Sequence, residues 1–157
     1  MLDNNLEDKL VTNQLSADLR EKIVAIINRI PLVKTLKIEL DELSPGTCKM
    51  SMVRDGTLDG IFVSLHGGAL MALADTAACF AIQTLIGVED TLTTTDMNIR
   101  FLAPALDRVT ATACVIKAGR TLCPTEISLN DSEGKLLAIA QVTYIRLKKD
   151  IGRELEK

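Results

Sequence analysis

The chain has 157 residues, 47% hydrophobic and 25% charged, with a net charge of −3. That length suits one domain with a core large enough to need no staples. Aromatic residues are only 3%, there is no Trp, and the charge balance is acidic, which argues against a nucleic-acid surface built on cationic grooves and stacked bases. The four cysteines, Cys48, Cys79, Cys114 and Cys123, form no CxxC pair, and one histidine is too few to complete a common zinc set. No metal or other cofactor is therefore expected. The cysteines read as small core thiols of a reducing, cytoplasmic compartment.

Residues 1–15 read as a loose leader. Its start, MLDNNLEDKL, lacks the basic residues and apolar run of a signal peptide. Ser16 can cap a helix, with Asp18 in the first turn. Leu19, Ile23, Ile26, Ile27 and Ile30 then follow helical spacing, and Pro31 is expected to end the run. Leu36, Ile38 and Leu40 alternate with charged residues as in a half-buried strand. Ser44-Pro45-Gly46 makes a turn, and Cys48, Met50 and Met52 make a second strand. A loop over 54–65 follows.

From about Gly67 to about Ile86 the chain is almost wholly apolar, with Gly87 as a stop. The length would span a bilayer, but Asp75 sits near the middle and no basic flank follows. We read a covered core helix and no membrane association. Four β-rich runs come next, at about 92–103, 108–118, 121–130 and 136–148, divided by Pro104-Ala105, Gly119-Arg120 and Asp131-Ser132-Glu133-Gly134. The expectation is one α+β domain over 16–148, an antiparallel sheet curled around the apolar helix. A charged tail occupies 149–157.

Two features of the central helix carry chemistry. His66-Gly67-Gly68 puts glycines at a helix start, where N–H groups lack partners and the dipole is positive. This can hold the oxyanion of an attacked carbonyl, or it can be a tight turn that needs small residues. Asp75 is a lone carboxylate in an apolar helix and needs a partner or a purpose. Burial would raise its pKa toward that of a useful base; the alternative is a structural carboxylate. Gly68 and Asp75 share a helix face but lie about 10 Å apart along the axis. One helix cannot readily bring both to one carbonyl, whereas two antiparallel copies can. The spacing therefore favours a site shared across a homodimer.

The run His66-Gly67-Gly68-Ala69-Leu70-Met71-Ala72-Leu73-Ala74-Asp75-Thr76-Ala77 closely resembles the signature of the hotdog-fold thioesterases of the PaaI-like and human thioesterase-superfamily-member-2 type. Thr94-Thr95-Asp96-Met97-Asn98-Ile99-Arg100-Phe101-Leu102-Ala103-Pro104-Ala105 resembles the family's strand after the helix. Lys117-Ala118-Gly119-Arg120-Thr121 and Asp131-Ser132-Glu133-Gly134-Lys135-Leu136 resemble its later strands and hairpin. The likeness spans about residues 35–147. It implies a hotdog fold, dimers that often pair into tetramers, and hydrolysis of an acyl-CoA to free acid and CoA. It implies Asp75 as general base or nucleophile, and the Gly67 N–H, with or without Gly68, as oxyanion donor. Thr94 would help to position water, and Gly119 and Arg120 would meet CoA. His66, the only histidine, reads from its position before the helix as a residue that orients the acyl carbonyl, acts as a general base or simply bonds the loop. An Arg fork suits phosphate, though a solvated hairpin charge is the plainer reading of Arg120. Met71, Phe62 and Phe80 are candidates to line a pocket for a fatty or aromatic acyl group.

One departure stands out. The family carries an Asn about six residues before the His, where this chain has Gly60 after Asp59, and the family's Gly position is Val63. Either another group serves, or the carbonyl is held by the helix start and His66 alone. A non-catalytic acyl-CoA-binding module and a hotdog dehydratase or hydratase are the competing readings.

Overall fold

The computed structural model describes residues 14–147. Most of the leader and all of the tail lie outside these residues. The order is α1 (Ala17–Ile27), α2 (Pro31–Thr35), β1 (Glu39–Ser44), β2 (Thr47–Met52), α3 (Gly67–Ile86), β3 (Thr91–Phe101), β4 (Val109–Val115), β5 (Leu122–Asp131) and β6 (Leu136–Leu147). The six strands form one antiparallel sheet in the order β1-β2-β4-β5-β6-β3.

The sheet wraps α3, as the apolar run required. Alternate residues of the strands point inward: Cys48, Met50 and Met52 of β2, Val109, Ala111 and Ala113 of β4, Cys123, Ile127 and Leu129 of β5, and Ala138, Ala140 and Val142 of β6. The alanines let the helix lie close to the sheet. Leu73, Ala74, Ala77, Ala78, Phe80 and Ile82 of α3 fill the space between them. Fully burying one Leu, Ile or Phe side chain contributes about 1.5–3 kcal/mol. α3 is long and apolar enough to cross a bilayer by length and composition, but most of it is buried inside the sheet.

Two expectations need correction. The first helix stops at Ile27, not Ile30, and Pro31 opens α2 instead of ending α1. Proline at the first helical position lacks only an N–H that would be unpaired there in any case. Leu36 and Ile38 are buried, but they belong to the α2 exit, and Lys37 between them has φ 52. The strand begins at Glu39, and a register shift between Leu40 and Glu42 makes Asp41 a bulge. Other signals held. The Ser16 hydroxyl accepts from Leu19 N at 3.3 Å, and Gly87 caps α3 with φ 81.

Candidate active site

His66 is the N-cap of α3, with φ −61 and ψ 137. A helix start leaves four N–H groups without intrahelical partners. Here His66 N donates to Leu58 O at 2.8 Å, Gly68 N donates to His66 Nδ1 at 2.8 Å, and Ala69 N donates to His66 O at 2.9 Å. The Gly68 N–H is thus engaged by the cap, and the Gly67 N–H is the one left without an acceptor among the described residues. The same bond fixes the ring. With Nδ1 accepting, neutral His66 carries its proton on Nε2 and is a donor at that edge.

The approach to His66 is braced. Arg54 donates from Nε to Asp59 Oδ1 at 2.7 Å and from Nη2 to Asp59 Oδ2 at 2.5 Å. Asp59 bridges to Leu65, and Leu65 N donates to Ala105 O at 2.9 Å. Between these ties the tip projects, with Ile61, Phe62 and Val63 all strongly exposed.

Asp75 lies two turns into α3 and is half-buried. Its Oδ1 accepts from Thr94 Oγ1 at 2.9 Å. Its main-chain oxygen accepts from Tyr144 Oη at 2.9 Å. Thr94 and Tyr144 are direct partners in the β3–β6 ladder, and the register shifts at once after Thr94, leaving Thr95 as a bulge. Bulges re-aim side chains beside sites. Cys79, one turn on from Asp75, has its thiol pushed up to about 12, by burial first and then by the charge of Asp75. Burial, reinforced by Cys79 and Asp75, likewise holds the Tyr144 hydroxyl well above its ordinary range, so it stays a proton donor. No ion pair to Asp75 occurs among the described residues. No group of three His, Cys, Asp or Glu side chains there could hold a metal.

Met71 is 37% exposed, one turn before Asp75. Phe62 is 79% exposed at the loop tip, whereas Phe80 is 2% exposed in the core. Gly119 is required for packing, because a Cβ there would collide with the Leu122 carbonyl oxygen. Arg120 is exposed and makes no side-chain hydrogen bond among the described residues.

The structure thus separates the two halves of the expected chemistry. Thr94, near one end of β3, touches Asp75. Phe101, at the other end, packs at Gly67, where a Cβ would lie 3.0 Å from Phe101 Cζ. Thr94 and Phe101 lie seven residues apart, about 23 Å along the strand, while Gly67 and Asp75 themselves lie about 12 Å apart along α3. Tyr144 and Phe101 were not singled out from the sequence. Tyr144 is the only tyrosine in the chain and falls on an inward position of β6, a signal that could have marked it.

A model of the thioesterase superfamily matches residues 62–138. ComA2 of Bacillus subtilis, which carries an esterase name, is 32% identical over 120 residues, spanning 75% of this chain and 95% of ComA2. The 1,4-dihydroxy-2-naphthoyl-CoA hydrolase of Listeria monocytogenes is 29% identical over 119 residues, spanning 75% of this chain and 97% of that protein. A thioesterase family protein from Silicibacter pomeroyi superposes with a TM-score of 0.78 at 28% identity, over 83% of this chain and 98% of that one.

Proposed function

Because this chain belongs to the thioesterase superfamily, we propose that it hydrolyses an acyl-CoA thioester in a site completed by two copies of the chain. The observation that carries this reading is the lone unpaired N–H of Gly67 at the start of α3. It sits at the positive end of the helix dipole and can donate to a thioester carbonyl.

Asp75 is the general base. Thr94 holds Oδ1, which leaves Oδ2 to take a proton from water. The water oxygen bonds to the acyl carbon, and the carbonyl oxygen becomes an oxyanion on Gly67 N–H. The C–S bond then breaks, and the proton held by Asp75 passes to the departing CoA sulfur. His66 Nε2–H offers a further donor to the bound carbonyl. No step requires a metal.

Gly67 and Asp75 of one helix are about 12 Å apart along the axis, too far to serve one carbonyl. β3 is the last strand of the sheet, with its outer edge unpaired in the single chain. A second copy added antiparallel along that edge, centred between Met97 and Asn98, would set Thr94 of one chain opposite Phe101 of the other. Each Asp75 would then face the other chain's Gly67. The acyl group is a fatty or aromatic one. Exposed Arg120 would meet the CoA phosphates.

The test is thiol release from a panel of acyl-CoAs. Asp75→Asn should lower kcat by about 10²–10⁴-fold. Gly67→Pro deletes the donor at a first helical position that proline suits, after a His66 already in the extended conformation that precedes proline; because its Cβ presses on Phe101, Gly67→Ala, which adds the same Cβ but keeps the N–H, is the control. Gly67→Pro should lower kcat by about 10²–10³-fold. Release unaffected by Asp75→Asn would refute the mechanism, and binding without release by the unaltered protein would favour the non-catalytic module.

A further inference from the structure

The turn between β4 and β5, residues 116–121, carries two exposed cations, Lys117 and Arg120. Neither has an ion-pair partner among the described residues. At its start Ile116 N donates to Pro124 O at 3.0 Å. Its middle is held from another strand. Arg146, near the end of β6, donates from Nη1 to Gly119 O at 3.0 Å, and its main-chain N donates to Thr121 O at 2.8 Å. The rest of the guanidinium is on Asp90, just before β3: Nε donates to Oδ2 at 2.8 Å, and Nη2 donates to the same oxygen. One side chain thus ties the turn to the ends of both β6 and β3. The tie is partly shielded, with the Arg146 and Asp90 side chains 25% and 33% exposed.

This clamp adjoins the Asp75 half of the site. Arg146 stands two residues beyond Tyr144 on the same face of β6, about 7 Å along the strand. It pairs with Leu92 as Tyr144 pairs with Thr94, and Tyr144 and Thr94 are the residues that hold Asp75. Arg146 has no part in the steps proposed above. An ammonium could neutralise Asp90, but a planar fork is what reaches a carboxylate and a carbonyl at once in fixed directions.

We propose that Arg146 is a positioning residue for recognition of the CoA nucleotide. By fixing the Gly119 carbonyl against Asp90 it orders the turn in advance, so that Lys117 and Arg120 meet the phosphates without the cost of ordering them on binding. The inference rests on the thioesterase reading, in which Arg120 meets CoA, and adds Lys117 as a phosphate contact and Arg146 as the residue behind both.

The experiment measures kcat/KM of the full-length protein for octanoyl and benzoyl thioesters of CoA and of pantetheine, which presents the same thioester without a phosphate. The unaltered chain should favour the CoA thioesters. Arg146→Lys, which keeps the charge and removes the fork, and Arg146→Ala should each lower that preference by about tenfold, through KM and not kcat. In a chain already carrying Lys117→Ala and Arg120→Ala, Arg146→Lys should change the preference by less than about twofold, because the clamp acts through those two cations. Thermal melts are read beside the rates. A purely structural clamp would lower the melting temperature and slow both classes of thioester alike, and that result overturns the proposal. So does a full effect of Arg146→Lys in the Lys117→Ala/Arg120→Ala chain. A parent with no preference for CoA, or one whose preference survives loss of both cations, overturns it too and leaves hydrolysis standing. If the unaltered chain releases no thiol, hydrolysis is what fails, and the dissociation constant of CoA itself, measured by calorimetry, decides the role of Arg146. Binding about tenfold weaker in Arg146→Lys upholds the clamp, and unchanged binding removes it.

Discussion

His66 spends its Nδ1 on Gly68, and that single bond decides which backbone donor is left for a substrate. Histidine is not among the usual helix caps, so nothing in the run His66-Gly67-Gly68 distinguishes one free N–H from two; the ring's orientation is set by the braced loop before it. Tyr144 acts in the same indirect manner. Its hydroxyl ties β6 to the main-chain oxygen of Asp75, fixing the helix turn from which the carboxylate projects. Tyr144→Phe should destabilise the fold by about 1 kcal/mol, the net worth of one hydrogen bond. As a positioning residue it should lower kcat while leaving KM nearly unchanged. An equal effect on both, or a fall in melting temperature with kcat intact, would assign it to stability alone.

The elements read most clearly in the sequence are those governed by local pattern. α3 follows from its unbroken apolar run and flanking glycines, and the strands β3 to β6 follow from alternation cut by Pro104, Gly119 and Gly134. What escaped depends on partners far along the chain. The α2 turn needs Leu36 and Ile38 to be drawn into the core. The bulges at Asp41 and Thr95 exist only relative to β2 and β6, so neither shows in a single strand's alternation. Family likeness marked Thr94 as a residue that positions water but not its bond to Asp75, and the Arg54–Asp59 clamp was not foreseen. That clamp holds the approach to α3 from both carboxylate oxygens. Arg54→Ala should loosen residues 55–65, seen as faster limited proteolysis within that segment, and should raise KM more than it lowers kcat. Unchanged proteolysis would show that the Asp59–Leu65 bridge and the Leu65–Ala105 bond suffice.

Taken whole, the single chain holds both halves of the proposed chemistry at opposite ends of one edge strand. Subunit mixing tests whether two chains complete them. Asp75→Asn and Gly67→Pro are each expected to be inactive alone. If the site is shared, a mixed dimer contains one site with both groups intact and one with neither. Unfolding and refolding the two variants together should therefore restore roughly a quarter of the parent activity, since half of randomly assembled dimers are mixed and each has one working site. No recovery would confine the site to one chain.

The unpaired edge of β3 has a kinetic consequence under the same arrangement. Its N–H and C=O groups are the surface through which copies would meet. Catalysis would then obey mass action in the protein itself. Above the dimer dissociation constant, the rate should rise in proportion to the amount of chain. Far below it, the rate should rise with the square, and each tenfold dilution should remove about a hundredfold of the activity.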